Sequence, residues 1–159
     1  MQPSIEYYEI EGIIADKNLE QIGYLAKIID GHGNEEEPSI EQYTNNIRAG
    51  INGYRWVHLG LAYAQEQVVG YKLGRSSDPR SFESWVGGIL PSHRRQGIAF
   101  ELSLRQEEWC RKNKFQFMTT ITAHDNTAML ILNLRHGYTI AGTFLKRGKN
   151  LNVSLEKKL

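Results

Sequence analysis

The sequence lacks several features that would mark a special environment. Only one of its 159 residues is a cysteine, Cys110, which excludes an intrachain disulfide and a zinc site built from several thiolates. Its 19 lysines and arginines are balanced by 18 aspartates and glutamates, so no global positive field favours nucleic acid as a partner. No apolar run approaches the roughly 20 residues that span a bilayer, and no basic segment followed by an apolar one marks a secretory signal. We therefore expect a cytoplasmic protein without a membrane segment.

What the sequence does contain predicts one mixed domain over residues 1–159. A hydrophobic fraction of 40% and a charged fraction of 23% are ordinary for a globular protein of this size. Helical and extended apolar patterns follow each other in the order strand, two helices, three strands, helix, strand, helix, two strands. This order, without a linker to divide it, indicates a single α/β domain with a mixed sheet.

Two polar residues predict where the first helices begin. Asn18 precedes a helical apolar pattern from Leu19 to Ile29 and is the expected cap of that helix. Ser39 is followed three residues later by Gln42, which predicts a capping box at the start of the second helix.

Paired glycines interrupt the predicted strand from Phe82 to Leu90. Gly87 and Gly88 lie inside an otherwise apolar run. Such a pair favours a β-bulge or a close backbone approach by a ligand, and a simple loop is the alternative.

A basic turn between a strand and a helix is the segment most typical of a binding site. The strand ends at Pro91, and a strong helical pattern starts at Ile98. Main-chain N–H groups at such a helix start converge on a concavity with partial positive charge, which suits a phosphate or pyrophosphate. Gly97 lets the backbone approach the ligand, while Arg94 and Arg95 add charge at the rim.

The turn does not fit the commoner phosphate-binding motifs. No Gly-Lys-Ser/Thr follows it, which excludes a P-loop, and Gly97 alone does not make the glycine set of a dinucleotide-binding fold. The bare pattern is weak by itself. Its position between a predicted strand and a predicted helix gives it weight.

Two segments of the sequence together resemble the motifs of a known family. The segment from Ile89 to Ala99 resembles the coenzyme A loop of the GNAT superfamily of N-acetyltransferases. Asn126, followed by a short apolar helix and by Gly137-Tyr138, resembles the second motif of that family. The resemblance implies about seven strands flanked by about four helices, with the fourth and fifth strands splayed apart.

The resemblance also implies which residues hold acetyl-CoA as a co-substrate. The pantetheine arm would bond to the end of the fourth strand, and the pyrophosphate to the N–H groups of the turn. Asn126 would face the coenzyme from the other wall, although it also fits the cap of a helix. The implied coenzyme-binding residues are Gly88, Ile89, Leu90, Arg94, Arg95, Gln96, Gly97, Ile98, Ala99, Asn126 and Asn133.

For the reaction, the resemblance implies attack of a deprotonated amine on the thioester. Glu83 lies eleven positions before Arg94, which matches a glutamate that some histone acetyltransferases of the superfamily use as base. An exposed edge glutamate is the alternative, and His58, His93 and Asp125 are weaker candidates. An N–H of Ile89 or Leu90 is the expected oxyanion partner.

The general acid is left open by a departure from the family. Many members have a tyrosine seven residues after the second-motif asparagine, where this sequence has Asn133. An asparagine donates hydrogen bonds but cannot deliver a proton at neutral pH.

The expected function is transfer of an acetyl group to a primary amine in a ternary complex. A GNAT-fold module that binds acyl-CoA without turnover is the alternative, and longer or acidic acyl groups stay open. The acidic segment from Glu35 to Glu37 suits a polyamine or a basic peptide, or is a plain solvated loop. We expect no metal, and a homodimer is left open.

Overall fold

The computed structural model describes residues 4–30 and 37–159, and its elements follow the predicted order. The strands are β1 (Ile5–Glu11), β2 (Trp56–Ala64), β3 (Gln67–Ser76), β4 (Ser81–Ile89), β5 (Phe117–Ala123), β6 (Thr139–Lys146) and β7 (Asn150–Lys158). The helices are α1 (Asp16–Asp30), α2 (Ile40–Ile51), α3 (Ile98–Lys112) and α4 (Thr127–Arg135), with a 3₁₀ turn at Pro91–His93 before α3.

The strands form one mixed sheet in the order β1-β2-β3-β4-β5-β7-β6. Every neighbouring pair is antiparallel except β4 and β5, which run parallel. These two strands pair only from Ser81 to Glu83 against Phe117 to Thr119. Beyond that point β4 continues to Ile89 and β5 to Ala123 without pairing to each other. The predicted splay between the fourth and fifth strands is therefore confirmed.

Helices cover the sheet on opposite faces. A side chain added at Gly88 would meet Ile29 of α1, whereas one added at Gly60 would meet Leu102 of α3. Helix α2 packs on α1, because the Gly23 position lies directly against Thr44. Helix α4 lies beside α3, where the ring of Phe100 meets the ring of His136 at 5.3 Å. The α1/α2 face and the α3/α4 face of the sheet are thus distinct surroundings.

The core has two parts. The larger packs helices α1 to α3 on strands β2 and β3, and the smaller lies where α3 meets β4, β5 and β7. Cys110 is fully buried in the smaller part, where burial raises the pKa of its thiol. A protonated, inaccessible thiol fits packing and not nucleophilic chemistry.

The start of α2 is as predicted, and the start of α1 is not. The Ser39 hydroxyl accepts from the Gln42 N–H at 3.1 Å, and the Gln42 side chain accepts from the Ser39 N–H at 2.6 Å, which completes the capping box. Helix α1 begins two residues before Asn18, at Asp16. Asn18 lies inside the first turn with its N–H donated to Ala15 O, and its side chain is buried against Gln21.

The predicted bulge at Gly87-Gly88 is wrong, because the bulge lies at Trp85. Ser84 pairs with Gly74 and Val86 with Leu73, which leaves Trp85 as the extra residue on β4. Its indole packs on the Gly50 position of α2. The two glycines keep regular register and are required by close packing: a Cβ on Gly87 would come within 2.8 Å of Tyr71 O.

Replacing Gly74 by alanine should test how tightly the sheet packs beneath α3. A Cβ at Gly74 would collide with the Phe82 ring and lie 2.8 Å from Glu83 O, which is backbone and cannot turn away. Overpacking of this kind costs about 1–3 kcal/mol of unfolding free energy, measurable by urea denaturation. Gly142→Ala is the matched control, since a Cβ there meets nothing within 4 Å. Equal losses in the two variants would contradict this packing.

His58 should make stability fall in mild acid. Its side chain is fully buried, and burial outweighs the attraction of Glu11 and lowers the histidine pKa to about 4. An unfolded histidine titrates near 6.5, so between about pH 6.5 and pH 4 the unfolded chain binds a proton that the native state refuses. Stability is then present above this window and lost as the pH falls through it, by roughly 3 kcal/mol.

Urea denaturation across this pH range gives the measurement. The variant His58→Leu should flatten the acid slope, while the variant His124→Leu, at an exposed site, should keep it. An unchanged slope in His58→Leu would refute the assignment.

Candidate functional site

The turn after β4 curls back through two left-handed residues. Arg95 has φ 63° and Gly97 has φ 80°, and α3 begins at the next residue, Ile98. Alternation of left-handed and ordinary residues points successive N–H groups into one concavity, as in anion-binding nests. The predicted strand, turn and helix context of this segment is confirmed.

The N–H groups in this concavity have no acceptor among residues 4–30 and 37–159. The His93 and Arg94 N–H groups donate to Leu90 O and Pro91 O, and the first N–H bond of α3 runs from Glu101 to Gly97 O at 3.0 Å. Between them, no acceptor among the described residues takes the N–H groups of residues 95 to 100. Open donors at the positive end of a 15-residue helix form a site for an anion.

The side chains of the turn frame the site without filling it. A Cβ at Gly97 would meet nothing within 4 Å, so glycine serves here the left-handed backbone. Arg94, Arg95 and Gln96 are exposed, and Arg94 Nε donates to Ile89 O at 3.2 Å. The Ile98 side chain is buried and holds the helix start on the sheet, with Ala99 half-buried beside it.

The free edge of β4 borders the wedge between the splayed strands. The Leu90 N–H donates to Val69 O at 2.9 Å, so the polar backbone groups of Leu90 and Gly88 are directed at β3. By the same alternation, those of Gly87 and Ile89 are directed at β5, into the wedge. Of the two expected oxyanion donors, Ile89 is the one whose N–H faces the wedge.

The opposite wall of the wedge comes from β5 and α4. At the closed end, Thr120 Oγ1 donates to Ser84 O at 2.9 Å. Further along, the buried Asn133 donates its amide Nδ2 to Thr122 Oγ1 at 3.1 Å. Asn126 caps α4 by accepting the Met129 N–H at 3.2 Å, as its capping alternative predicted.

Glu83 is the last residue of β4 that pairs with β5, and its carboxylate forms an ion pair. Arg75 Nε donates to Glu83 Oε2 at 2.8 Å, and the same guanidinium donates to Gly50 O of α2. It also stacks on Trp85 at 3.9 Å and on Tyr54 at 4.7 Å. The glutamate is therefore half-buried on the α1/α2 face and is not an exposed edge residue. Sequence reasoning missed Arg75, since no motif or spacing marks it.

The weaker base candidates lie elsewhere. His58 is buried beneath α3 beside Trp109, and His93 sits in the turn with its Nδ1 at 2.9 Å from Ser92 Oγ. Asp125 is exposed before α4. Glu35 and Glu36 of the acidic segment lie outside the described residues.

The described residues contain neither a metal-ligand cluster nor a helix suited to cross a membrane. In residues 4–30 and 37–159, no three histidine, cysteine, aspartate or glutamate side chains gather closely enough to hold a metal ion. None of the four helices in that part of the chain has the length and apolar character needed to cross a membrane.

Comparison with known proteins agrees with this geometry. Residues 25–138 match the acetyltransferase (GNAT) family. A search of curated proteins gives no match.

Solved structures that resemble the chain include two with the coenzyme bound. The PaiA N-acetyltransferase from Thermoplasma acidophilum, in complex with coenzyme A, superposes with a TM-score of 0.73 at 18% identity over 98% of this chain and 99% of that one. A GNAT family acetyltransferase from Elizabethkingia anophelis with acetyl-CoA bound gives 0.65 at 15% over 98% of both chains. The ribosomal-protein-S18-alanine N-acetyltransferase from Escherichia coli gives 0.74 at 9%, over 95% and 94%. At these identities the likeness establishes the fold, and with the match over most of the sequence it follows that the chain belongs to the GNAT acetyltransferase family.

Proposed function

We propose that the protein is an acetyl-CoA-dependent N-acetyltransferase that acts on a primary amine in a ternary complex. The observation that carries the proposal is the row of open N–H groups at residues 95 to 100, at the mouth of the wedge between β4 and β5. Acetyl-CoA bound there would supply the acetyl group as a reactive thioester.

The coenzyme fits the groups that the chain leaves open. The turn presents N–H donors to the pyrophosphate, with Arg94 and Arg95 at the rim. Ile89, nearer the mouth, is placed to bond the pantetheine arm with its N–H and carbonyl. Gly87 lies deeper, and in the proposal its N–H, and not that of the predicted Ile89 or Leu90, bonds the thioester carbonyl and stabilises the negative charge that develops there.

The acceptor amine has its own approach, from the α1/α2 face. Glu83 lies on that face at the closed end of the wedge, where a base is needed to take the proton of an attacking ammonium. Its ion pair with Arg75 fixes the carboxylate in place, and one oxygen, Oε1, has no hydrogen bond in the described part of the chain. That oxygen is the proton acceptor in the proposal.

A binding module without turnover is the competing function. It is favoured by Asn133, whose amide is already engaged by Thr122 and offers no proton to a leaving thiolate. Incubation of the protein with acetyl-CoA and a panel of primary amines, with assay of free thiol, separates the two. Coenzyme binding without thiol release on any amine would favour the module.

Placing a negative charge in the turn should abolish coenzyme binding while preserving the fold. A side chain at Gly97 meets no atom, and both aspartate and asparagine tolerate a left-handed backbone. Gly97→Asp should weaken coenzyme A binding by roughly tenfold or more through repulsion of the phosphates. Its melting temperature should fall only slightly, because the strain of a side chain at a left-handed backbone is partly offset by an acidic group at the helix start.

Gly97→Asn is the matched control, with the same shape and no charge. It should keep most of the affinity in calorimetry. Equal binding by the two variants would exclude the turn as the phosphate site.

Removing the proposed base should change the rate and spare binding. Glu83→Gln keeps the size of the side chain but cannot accept a proton, so turnover should drop by about 10²-fold or more, most strongly at lower pH, where more of the amine is protonated. Calorimetry should show little change in coenzyme A affinity. A pH–rate profile identical to that of the wild type would remove Glu83 from this role.

A further inference from the structure

A lysine on the central strand β3 has no partner within the described residues. Lys72 lies in register between Gly60 of β2 and Gly87 of β4, and it makes no hydrogen bond or ion pair in residues 4–30 and 37–159. Its residue surface is partly buried. Burying an unpaired ammonium is costly, so its presence here calls for a function or a ligand.

The side chain runs across Gly87 towards the wedge. Lys72 is on the α3/α4 face, because its cross-strand neighbour Gly60 faces Leu102 of α3. Its Cγ lies 3.5 Å from the point where a Cβ of Gly87 would be, so the missing side chain opens its path over β4. Its positive charge reaches His136 at the end of α4 and helps to lower the pKa of that histidine, which burial lowers most.

Two other polar groups on the α3/α4 side of the sheet also lack hydrogen-bond partners within the described residues. Ser84 Oγ, on the same face at the closed end of the wedge, is buried without a hydrogen bond. Gln106 of α3, one turn beyond Leu102, is fully buried with both amide atoms unpaired. Buried polar groups are almost always satisfied in native proteins. Two of them on the side of the sheet that carries Lys72 favour a polar ligand atom on that side.

A carboxylate on this face of the sheet is already engaged by other groups. Glu107 of α3 accepts from Lys157 at 2.5 Å and Arg111 at 2.8 Å and lies 3.0 Å from His136. These contacts outweigh the effect of burial and lower the pKa of Glu107, so its negative charge is already balanced by its own partners. The other titratable groups here, on β2, α3 and the α4–β6 connection, are His58, Cys110 and Tyr138, and burial holds all three neutral.

We infer that the Lys72 ammonium faces the sulfur of bound coenzyme A and supplies the proton to the departing thiolate. The inference deepens the proposed function and rests on it. It fills the role that Asn133 cannot, and it uses a residue that no motif of the sequence marks.

The proton balance of the step is complete. The acceptor nitrogen bonds to the carbonyl carbon, the carbon–sulfur bond breaks, and its electron pair stays on sulfur. One proton moves from Lys72 Nζ to sulfur, which leaves a neutral lysine that solvent reprotonates. A protonated acceptor loses two protons on the other side of the sheet, one before the attack and one from the tetrahedral adduct. Glu83 takes each in turn and passes it to solvent.

The acidity of Lys72 suits this transfer. Burial lowers the pKa of Lys72 to about 8. A thiol has a pKa of about 8.5, so the proton passes between groups of nearly equal strength, whereas an ordinary lysine near 10.4 would give it up less readily.

The test needs no knowledge of the acceptor amine. Wild-type protein is mixed with coenzyme A, and the ultraviolet absorbance of the thiolate is followed against pH, with desulfo-coenzyme A as blank. An ammonium near the sulfur favours the thiolate, so the bound thiol should titrate about one unit below the free thiol, a tenfold change in acidity. Lys72→Met should remove the shift, and Lys72→Arg, which keeps the charge, should retain it.

Controls separate this inference from the proposed function. Lys17→Met, on the exposed part of α1, should titrate like the wild type, and all variants should bind desulfo-coenzyme A. If the wild type binds neither compound, the proposed function and the inference both fail. If coenzyme A binds and its thiol titrates as in free solution, or the shift survives in Lys72→Met, the inference alone is overturned. Should Lys72→Met not fold, Lys72→Gln takes its place, and the wild-type titration remains decisive.

Discussion

The separation of β4 from β5 after Glu83 and Thr119 is the constraint from which the other features of the site follow. Two parallel strands that stop pairing leave a row of backbone donors and acceptors without partners inside the protein. The bond from Thr120 to Ser84 O fixes where the strands part, and the turn before α3 stands at the open end. The turn before α3, the α1/α2 face at Glu83 and helix α4 are all positioned by this divergence of the two strands.

Groups that reduce stability collect around the same wedge. Within the described residues, the N–H groups of residues 95 to 100 have no acceptor, Arg95 holds a left-handed backbone without being glycine, and Lys72 is unpaired. A sequence selected for stability alone would remove such features one by one. Their presence along the turn and the wedge supports the proposal that this region binds a ligand.

Local signals explain what the sequence could predict. The order of elements, the capping box at Ser39 and the turn before α3 depend on residues close together in the chain, and the structure has them all. The rest depends on contacts between distant segments. The bulged Trp85 packs its ring against Gly50 of α2, and the half-buried Glu83 is paired with Arg75 of the next strand. Lys72 sits in a run that reads as an ordinary buried strand, so nothing local reveals that its partner is missing.

The extra residue at Trp85 also determines which side of the sheet each group serves. Along a regular strand, positions six apart point the same way, so Glu83 would share the side of Ile89, which packs against Gly70 and α3. The bulge reverses this, and the carboxylate emerges among the α1 and α2 residues instead. In the proposed function, the sheet therefore separates the two reactants, with the acceptor amine on the α1/α2 face and the coenzyme in the wedge. Removing this one residue from β4 would turn the Glu83 carboxylate to the α3/α4 face of the sheet. No residue of the segment from Ile89 to Ala99 would change.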